Sequence, residues 1–159
     1  MTRRRGRALR GPRVVEAVPH GHWKTTTLIA ALDQSGVRCA LVLDGAVDGA
    51  AFAAFVEAVL VPTLRPGDLV ILDNRSSHKG PRVGQLIRAA QADVLYLPPY
   101  SPDFNPIENA FSKSKQGLRS LGLRVMTELW AALQPVLERV TPSDVKGFFR
   151  HCGYATEKK

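Results

Sequence analysis

Two acidic residues, each placed where a structured element should end or begin, are the best candidates for chemistry in this chain. Asp73 follows the apolar run Leu69–Leu72, and Glu108 follows Asn105-Pro106, a pairing typical of the first turn of a helix. In all, 34 residues lie between the two carboxylates. Two rigidly placed carboxylates suit a hard divalent cation such as Mg²⁺, and a pair of such ions can activate water for phosphodiester cleavage.

Each carboxylate also has a purely structural interpretation. Asp73-Asn74 could begin a turn, because both residue types form local hydrogen bonds with the backbone that follows them. Glu108, three residues after Asn105, could complete a capping box by accepting a hydrogen bond from the Asn105 backbone. Taken singly, each residue is better explained in this way, so the metal interpretation depends on the two together and on their context.

Charge is the most unusual property of the composition. The 159 residues carry a net charge of +8 and the pI is near 10, which favours nucleic acid as the partner. An arginine-rich arm, residues 1–13, opens the chain, and its alternative interpretation is a solvated tail. The arginines of this arm are Arg3, Arg4, Arg5, Arg7, Arg10 and Arg13.

The remaining composition is that of one soluble domain, with 45% apolar and 23% charged residues. Cys39 and Cys152 form no CxxC and no zinc-ligand spacing, so neither a disulfide framework nor a zinc site is expected. No apolar segment follows the basic N-terminus and none is long enough to cross a bilayer, so we expect neither a signal peptide nor membrane insertion. A reducing cytoplasm fits best.

Hydrophobic periodicity and turn signals predict an α/β sheet with helices packed on its faces. Two of the predicted strands are short and wholly apolar, so both are expected to be buried, and aromatic residues such as Trp130 are assigned to the core. A stiff, mostly extended connection is predicted over Pro98–Pro106. The predicted strands are Thr25–Leu32, Val37–Leu43, Leu69–Leu72 and Val94–Leu97, the predicted helices span 50–64, 81–90, 106–118 and 127–140 with a short one after Thr141-Pro142, and the other core aromatics are Trp23, Phe52 and Phe55.

Three motifs together resemble a known family. They are Leu72-Asp73-Asn74, Ser77-His78-Lys79, and the segment from Leu97 to Asn109, which reads Leu-Pro-Pro-Tyr-Ser-Pro-Asp-Phe-Asn-Pro-Ile-Glu-Asn. They are similar to those of bacterial insertion-sequence transposases of the mariner-like branch of the DDE superfamily. The 34-residue spacing matches the separation of that branch's second and third acidic ligands. The resemblance implies a ribonuclease-H-like catalytic domain: a mixed sheet flanked by helices.

The resemblance also implies roles for individual residues. Asp73 would be the second and Glu108 the third ligand of catalytic Mg²⁺ or Mn²⁺. The DNA side of the site would be lined by Asn74, His78 and Lys79. Lys113 and Lys115, on the helix that begins near Glu108, would meet phosphates or form a solvated helix face. The arm arginines Arg3, Arg4, Arg5, Arg7 and Arg10 would contact double-stranded DNA at transposon ends.

One departure from the family pattern concerns its first Asp, which lies on the first strand of the fold. That strand should precede an arginine-rich stretch, but Met1 stands directly before the arginines. Asp33 and Asp44 are the only early substitutes, and both are better explained as turn residues. We therefore expect a truncated chain: a basic arm over 1–13 and a partial catalytic domain over 14–159. Without its first central strand, the sheet should expose the edges of two strands.

The leading hypothesis is thus a DNA transposase domain that cuts and joins strands by two-metal phosphoryl transfer and is inactive as this fragment. Its rival is a non-catalytic DNA-binding remnant that interferes with an intact transposase or complements it. A cellular ribonuclease-H-like nuclease is disfavoured by the Pro-Pro-Tyr-Ser-Pro motif. The expected partners are transposon-end and target DNA, with a second copy or a chain that supplies the missing strand. The expected location is the bacterial cytoplasm, at the nucleoid.

Overall fold

The structure is a computed structural model that describes Arg10, Gly11, Val15 and residues 25–154. Most of the predicted arm, together with Trp23, lies outside these residues. In chain order the elements are β1 (Thr26–Asp33), β2 (Gly36–Asp44), α1 (Gly49–Phe55), β3 (Leu69–Leu72), α2 (Pro81–Ala89), β4 (Asp93–Tyr96), α3 (Pro106–Leu121), α4 (Met126–Leu137) and α5 (Pro142–His151). The predicted order of strands and helices is confirmed, with boundaries that differ by up to three residues except at the predicted helix 50–64.

That predicted helix is the largest local difference. Only α1 is α-helical; the chain continues as a π-helical turn over Val56–Leu60 and a 3₁₀ turn over Val61–Thr63. Asp48 caps α1, and its carboxylate accepts a hydrogen bond from the Ala51 backbone at 2.8 Å. Pro62 is the second residue of the 3₁₀ turn, a first-turn position at which a missing backbone N–H is tolerated.

The four strands form two separate two-stranded sheets. β1 and β2 form an antiparallel hairpin, and β3 and β4 are parallel, joined by α2 as the crossover. Within the described residues each strand is therefore paired along one edge only. The α/β class and the helix-flanked sheet are confirmed.

One helical layer covers both sheets on the same side. Phe52 and Phe55 of α1, Val56 of the π-helical turn and Ile87 of α2 are buried there. Apolar side chains from both sheets pack against this cluster: Ile29, Ala31, Cys39, Leu41, Val70, Leu72 and Val94. The prediction that Phe52 and Phe55 belong to the core is confirmed.

The other face of the hairpin is covered by the C-terminal helices. Leu28 and Val42 pack against Leu118 of α3 and Leu133 of α4, while Leu32 packs against a cluster that includes α5. Because alternate residues of a strand point to opposite faces, the hairpin lies between two helical layers. The α3–α5 layer therefore belongs to the hairpin half of the molecule.

Two predictions about burial were wrong, the first because the corresponding face of β3 and β4 is not covered in the same way. Leu69 and Leu95 remain 55% and 46% exposed, so the two apolar strands are buried on one face rather than both. Trp130 of α4 is not a core residue either; it is 43% exposed beside Met126 and Thr127. In the described part of the chain, no helix meets the criteria for spanning a membrane.

α5 begins with a complete capping box. The Thr141 hydroxyl accepts a hydrogen bond from the Asp144 backbone at 3.2 Å, and the Asp144 carboxylate accepts one from the Thr141 backbone at 2.9 Å. The same carboxylate pairs with Lys113 of α3. The Lys113 ammonium, followed by the Thr141 hydroxyl and backbone N–H, lowers the pKa of Asp144 from 3.8 to about 2.

We expect Asp144→Asn to lower the free energy of unfolding by about 0.5–2 kcal/mol at pH 7, the usual range for loss of a cap. Since the pKa of Asp144 is lower in the folded state, its stabilisation is complete above about pH 4 and is lost as pH falls from 3.8 towards 2. Denaturant melts should therefore give a lower free energy of unfolding for the variant than for wild type at pH 7, and equal values at pH 2. Glu128→Gln, an exposed carboxylate in the first turn of α4, is the matched control. A difference that persists at pH 2 would contradict the assignment.

Candidate functional site

Asp73 emerges at the carboxyl edge of the parallel sheet. The Leu97 backbone donates to Leu72 O at 2.8 Å, which extends the pairing of β3 and β4 by one residue and brings the chain after both strands to the same edge. Ligands of open α/β sheets are commonly bound at this edge. The location of Asp73 is therefore that of a ligand-binding residue as well as of a turn residue.

The Asp73 carboxylate is held by its own loop. The Arg75 guanidinium donates from Nε to Asp73 Oδ2 at 3.1 Å, and the Arg75 backbone donates to Oδ1 at 3.4 Å. Nδ1 of His78 also lies against Oδ1. That contact is one of proximity, because Nδ1 has no partner with hydrogen-bond geometry within the described residues. The local turn expected at Asp73 therefore exists, and it fixes the orientation of the carboxylate.

His78 is held against the fold through both its ring and its backbone carbonyl. Its ring stacks on Phe52 of α1, with the centroids 3.9 Å apart and the planes at 27°. The Tyr96 hydroxyl at the end of β4 donates to the His78 carbonyl at 3.3 Å. His78 thus connects the loop after β3 to both α1 and β4, and it faces the Asp73 carboxylate more than it faces solvent.

Asn74 brings a further oxygen to this edge. Its Oδ1 is buried and accepts no hydrogen bond from the residues that the structure describes. A buried carbonyl oxygen without a donor is costly unless a ligand or water supplies one.

Lys79 lies near the end of the loop that follows β3. Its side chain is exposed, and its charge is available to an approaching anion.

Glu108 occupies the third position of α3, as predicted, but the capping-box interpretation is wrong. The Asn105 side chain makes no capping hydrogen bond, and the Asn105 backbone N–H donates to Pro102 O at 2.9 Å rather than to Glu108. The half-buried Glu108 carboxylate has no hydrogen bond or ion pair to any described residue. Buried Pro106 fixes the start of the helix and hence the location of this carboxylate.

The candidate metal ligands all offer oxygen atoms: the carboxylates of Asp73 and Glu108 and the amide Oδ1 of Asn74. Oxygen donors with negative charge fit Mg²⁺ or Mn²⁺, and the unpartnered Asn74 oxygen is an observation in favour of that fit. Arg75 competes for the Asp73 carboxylate, but its side chain is 73% exposed and free to turn away. No group of three or more His, Cys, Asp or Glu side chains placed to hold a metal occurs in the described ranges.

The early acidic residues Asp33 and Asp44 do not join this edge. Asp33 accepts from the Ser35 backbone at 2.8 Å and lies 3.7 Å from Arg38 Nε, so it closes the β1–β2 turn. Asp44 is exposed near Trp130, at the end of β2. The turn interpretation of Asp33 is confirmed, and neither residue supplies a third carboxylate.

The predicted DNA-contacting lysines of α3 differ in their surroundings. Lys113 pairs with Asp144, which neutralises part of its charge. Lys115 is exposed, with its ammonium 5.9 Å from the centroid of the Phe111 ring. Arg10 is exposed, whereas Arg3, Arg4, Arg5 and Arg7 lie outside the described residues. The sequence analysis did not predict the contact between Arg75 and Asp73. An arginine two residues after an aspartate in a predicted turn could have indicated it.

Comparison with known proteins decides the family. The sequence model of the family described as DDE superfamily endonuclease matches residues 1–126. The chain belongs to this family. No match was found among the curated proteins.

Solved structures give the same fold for this DDE superfamily member. The Mos1 strand transfer complex superposes with a TM-score of 0.70 at 21% identity, covering 96% of this chain and 46% of that chain. The Mos1 transposase paired-end complex with the left transposon end gives a TM-score of 0.71 at 20% identity, covering 96% and 46%. The Mos1 transposase catalytic domain with Raltegravir and Mg gives 0.57 at 21%, covering 81% and 69%. The ribonuclease-H-like fold is thereby confirmed, and the chain spans about half the length of the Mos1 chains in these complexes.

Proposed function

We propose that this chain is the catalytic part of a DNA transposase, which cuts and joins DNA strands with the help of Mg²⁺ or Mn²⁺. The observation that carries the proposal is the Glu108 carboxylate: it begins α3 rigidly, yet it makes neither the capping box nor any ion pair with the described residues. In this proposal it acts together with the Asp73 carboxylate, which follows β3 at the carboxyl edge of the parallel sheet. Residues 1–13 would be a basic arm and 14–159 the catalytic domain.

In this proposal Asp73 and Glu108, assisted by Asn74 Oδ1, hold the metal. When bound, the metal activates a hydroxyl nucleophile and stabilises the leaving oxygen of the phosphodiester. His78 and Arg75 orient the Asp73 carboxylate, and the exposed Lys79 attracts the phosphate backbone. DNA is the substrate, at transposon ends and target, and the bacterial cytoplasm at the nucleoid is the proposed location. The similar Mos1 structures with Mn, with Mg and as paired-end complexes support the metal and DNA parts of this proposal.

A second candidate is a non-catalytic DNA-binding protein that pairs with an intact transposase and inhibits or complements it. One observation favours it: β1 and β3 each keep an unpaired edge within the described residues, and no third acidic side chain joins Asp73 and Glu108. Unpaired strand edges are templates for pairing with another chain. Both candidates require DNA binding and differ in whether metal-dependent cleavage occurs.

DNA binding provides the first test. We expect weak binding to duplex DNA of any sequence, with the logarithm of the affinity falling linearly with the logarithm of salt concentration as counterions are released. Deleting residues 1–13 should flatten the slope by about 0.9 for each phosphate that the arm neutralises in the full chain. Fluorescence anisotropy over a salt series measures both quantities.

Charge-matched variants of the arm separate its charge from its length. Replacing all six arginines of residues 1–13 with glutamine should reproduce the deletion, whereas replacing them with lysine should preserve the slope. An unchanged slope after deletion would make the arm a solvated tail. Absence of duplex binding even at low salt would refute DNA as the substrate.

A further inference from the structure

The connecting loop, residues 98–105 between β4 and α3, presents an aromatic residue in a strained conformation. Tyr100 has a φ of +56°, in the left-handed region that is costly for residues with a Cβ atom. Its side chain is fully exposed. A ring that buries no surface does not offset backbone strain, so the fold itself gains nothing from Tyr100. Such strained residues cluster at functional sites.

The loop around Tyr100 is held in place from both sides. The Ser101 hydroxyl donates to Pro99 O at 3.2 Å, which closes the chain across Tyr100, and the Phe104 backbone donates to Ser101 O at 3.3 Å just after it. The Tyr154 hydroxyl donates to the Phe104 carbonyl at 2.8 Å, tying the loop to the end of the described chain. These bonds, with the restricted φ of the loop prolines, keep Tyr100 in a conformation that it would leave if free.

The position of the loop indicates what the ring can meet. It begins after Leu97, which is paired with Leu72 at the edge where Asp73 emerges, and it ends at the helix turn that carries Glu108. Tyr100 therefore lies on the segment that joins the two proposed metal-binding elements. If a metal ion held a DNA phosphate at those carboxylates, the flanking nucleotides would lie next to the connecting loop.

The side chains of the loop suit contact with a nucleobase and not with a backbone phosphate. Residues 98–105 contain no Lys or Arg and one Asp, so the loop offers no positive charge to the DNA backbone. It offers two exposed aromatic side chains instead, Tyr100 and the half-exposed Phe104. Aromatic rings bind single-stranded nucleic acid by stacking on the bases, which all have a π face.

We propose that Tyr100 is a base-stacking residue, which takes one unpaired or extruded nucleobase of the DNA strand next to the phosphate at the Asp73–Glu108 edge. Phe104 lies in the same loop as a secondary aromatic contact. The inference rests on the proposed function, since it needs DNA at this edge. It adds a preference for DNA with an unpaired base over perfect duplex.

The test uses the 159-residue chain and two oligonucleotide duplexes, one fully paired and one with a single unpaired 2-aminopurine. Wild type should bind the second at least about 5-fold more tightly and quench its fluorescence, the lower end of the effect of one stacked base. Tyr100→Leu, which keeps an apolar side chain without a π face, should abolish the preference and the quenching. Tyr100→Trp should keep both. Affinity for the paired duplex should not change in either variant, because no charge is altered.

Tyr100→Gly controls for misfolding. Glycine tolerates a positive φ, so this variant should melt no lower than wild type and should still lose the preference for the unpaired base. Equal discrimination by wild type and Tyr100→Leu would overturn the inference while leaving the proposed function standing. A change of sedimentation coefficient in Tyr100→Leu without DNA would overturn it too, in favour of an interface with a second copy. Wild type that binds neither duplex would refute the proposed function itself.

Discussion

Residues 1–159 alone should not nick DNA, even with Mn²⁺ and transposon-end DNA present. Two-metal phosphoryl transfer needs both ions held a few ångströms apart, and by the family resemblance the ligand that bridges them is the first Asp. Asp73 and Glu108 have no third acidic partner within the described residues, and Asp33 is committed to the β1–β2 turn. One loosely held ion would not align a nucleophile with the phosphate. A supercoiled-plasmid nicking assay and a labelled transposon-end duplex both measure this.

Activity should appear when a further strand pairs with both sheets and supplies a third carboxylate. A longer version of the chain, with a strand that pairs with both β1 and β3 and ends in Asp, should nick transposon-end DNA in Mn²⁺. The same version with that Asp changed to Asn should fold, remain monodisperse and not nick. Robust metal-dependent cleavage by residues 1–159 alone would contradict this expectation, and would direct attention to Asp33 or Asp44 as the third ligand.

Asp73→Asn and Glu108→Gln should each weaken Mn²⁺ binding by about 10-fold or more. Each change removes one negative oxygen ligand while keeping the shape of the side chain, and even outer-sphere changes at metal sites cost about 10–100-fold in affinity. Electron paramagnetic resonance of free Mn²⁺ gives the affinities directly. Neither variant should lose more than about 1 kcal/mol of folding stability, because Glu108 makes no capping interaction and the Asp73 carboxylate pairs with the exposed Arg75 side chain.

Two matched variants control for charge. Asp93→Asn changes an exposed carboxylate at the start of β4, away from the carboxyl edge of the sheet. Glu128→Gln changes a carboxylate that, like Glu108, lies in the first turn of a helix. Both should bind Mn²⁺ as wild type does. Equal affinity in all five proteins would end the metal-site proposal, and a loss of stability without a loss of affinity would make Glu108 a structural residue.

Local sequence signals were sufficient for most elements of this fold, the helix predicted over residues 50–64 being the exception. Pro81, Pro106 and Pro142 each occupy the first position of a helix, where the missing N–H costs nothing. The apolar run Leu69–Leu72 became a strand with the predicted limits. These outcomes depend on neighbours within a few residues. Burial of Leu69 and Leu95 was mispredicted because it depends on what packs over a whole sheet face, which no short pattern records.

The candidate site, too, has features that could be predicted from neighbouring residues and features that could not. The positions of Asp73 at a strand end and Glu108 in a helix turn follow from their own segments. The contacts around these two residues do not follow from their own segments. Phe52 stacks on the His78 ring and Lys113 pairs with Asp144, and each pair is far apart in the sequence. Whether Glu108 caps its helix depended on the Asn105 N–H donating to Pro102 O, a competition between two nearby acceptors. Sequence motifs allowed both outcomes, and only the geometry distinguishes them.

The division into two sheets has a mechanical meaning for the carboxylates. Asp73 follows β3 of the parallel sheet, whereas α3, which carries Glu108, is packed on the hairpin through Leu28 and Leu32. The helical layer around Phe52 and Val56 packs against strands of both sheets. The two proposed ligands therefore belong to segments that are packed on different sheets. We expect that a strand bridging β1 and β3 would hold both segments in one arrangement, so that completing the sheet would also position the proposed cation ligands.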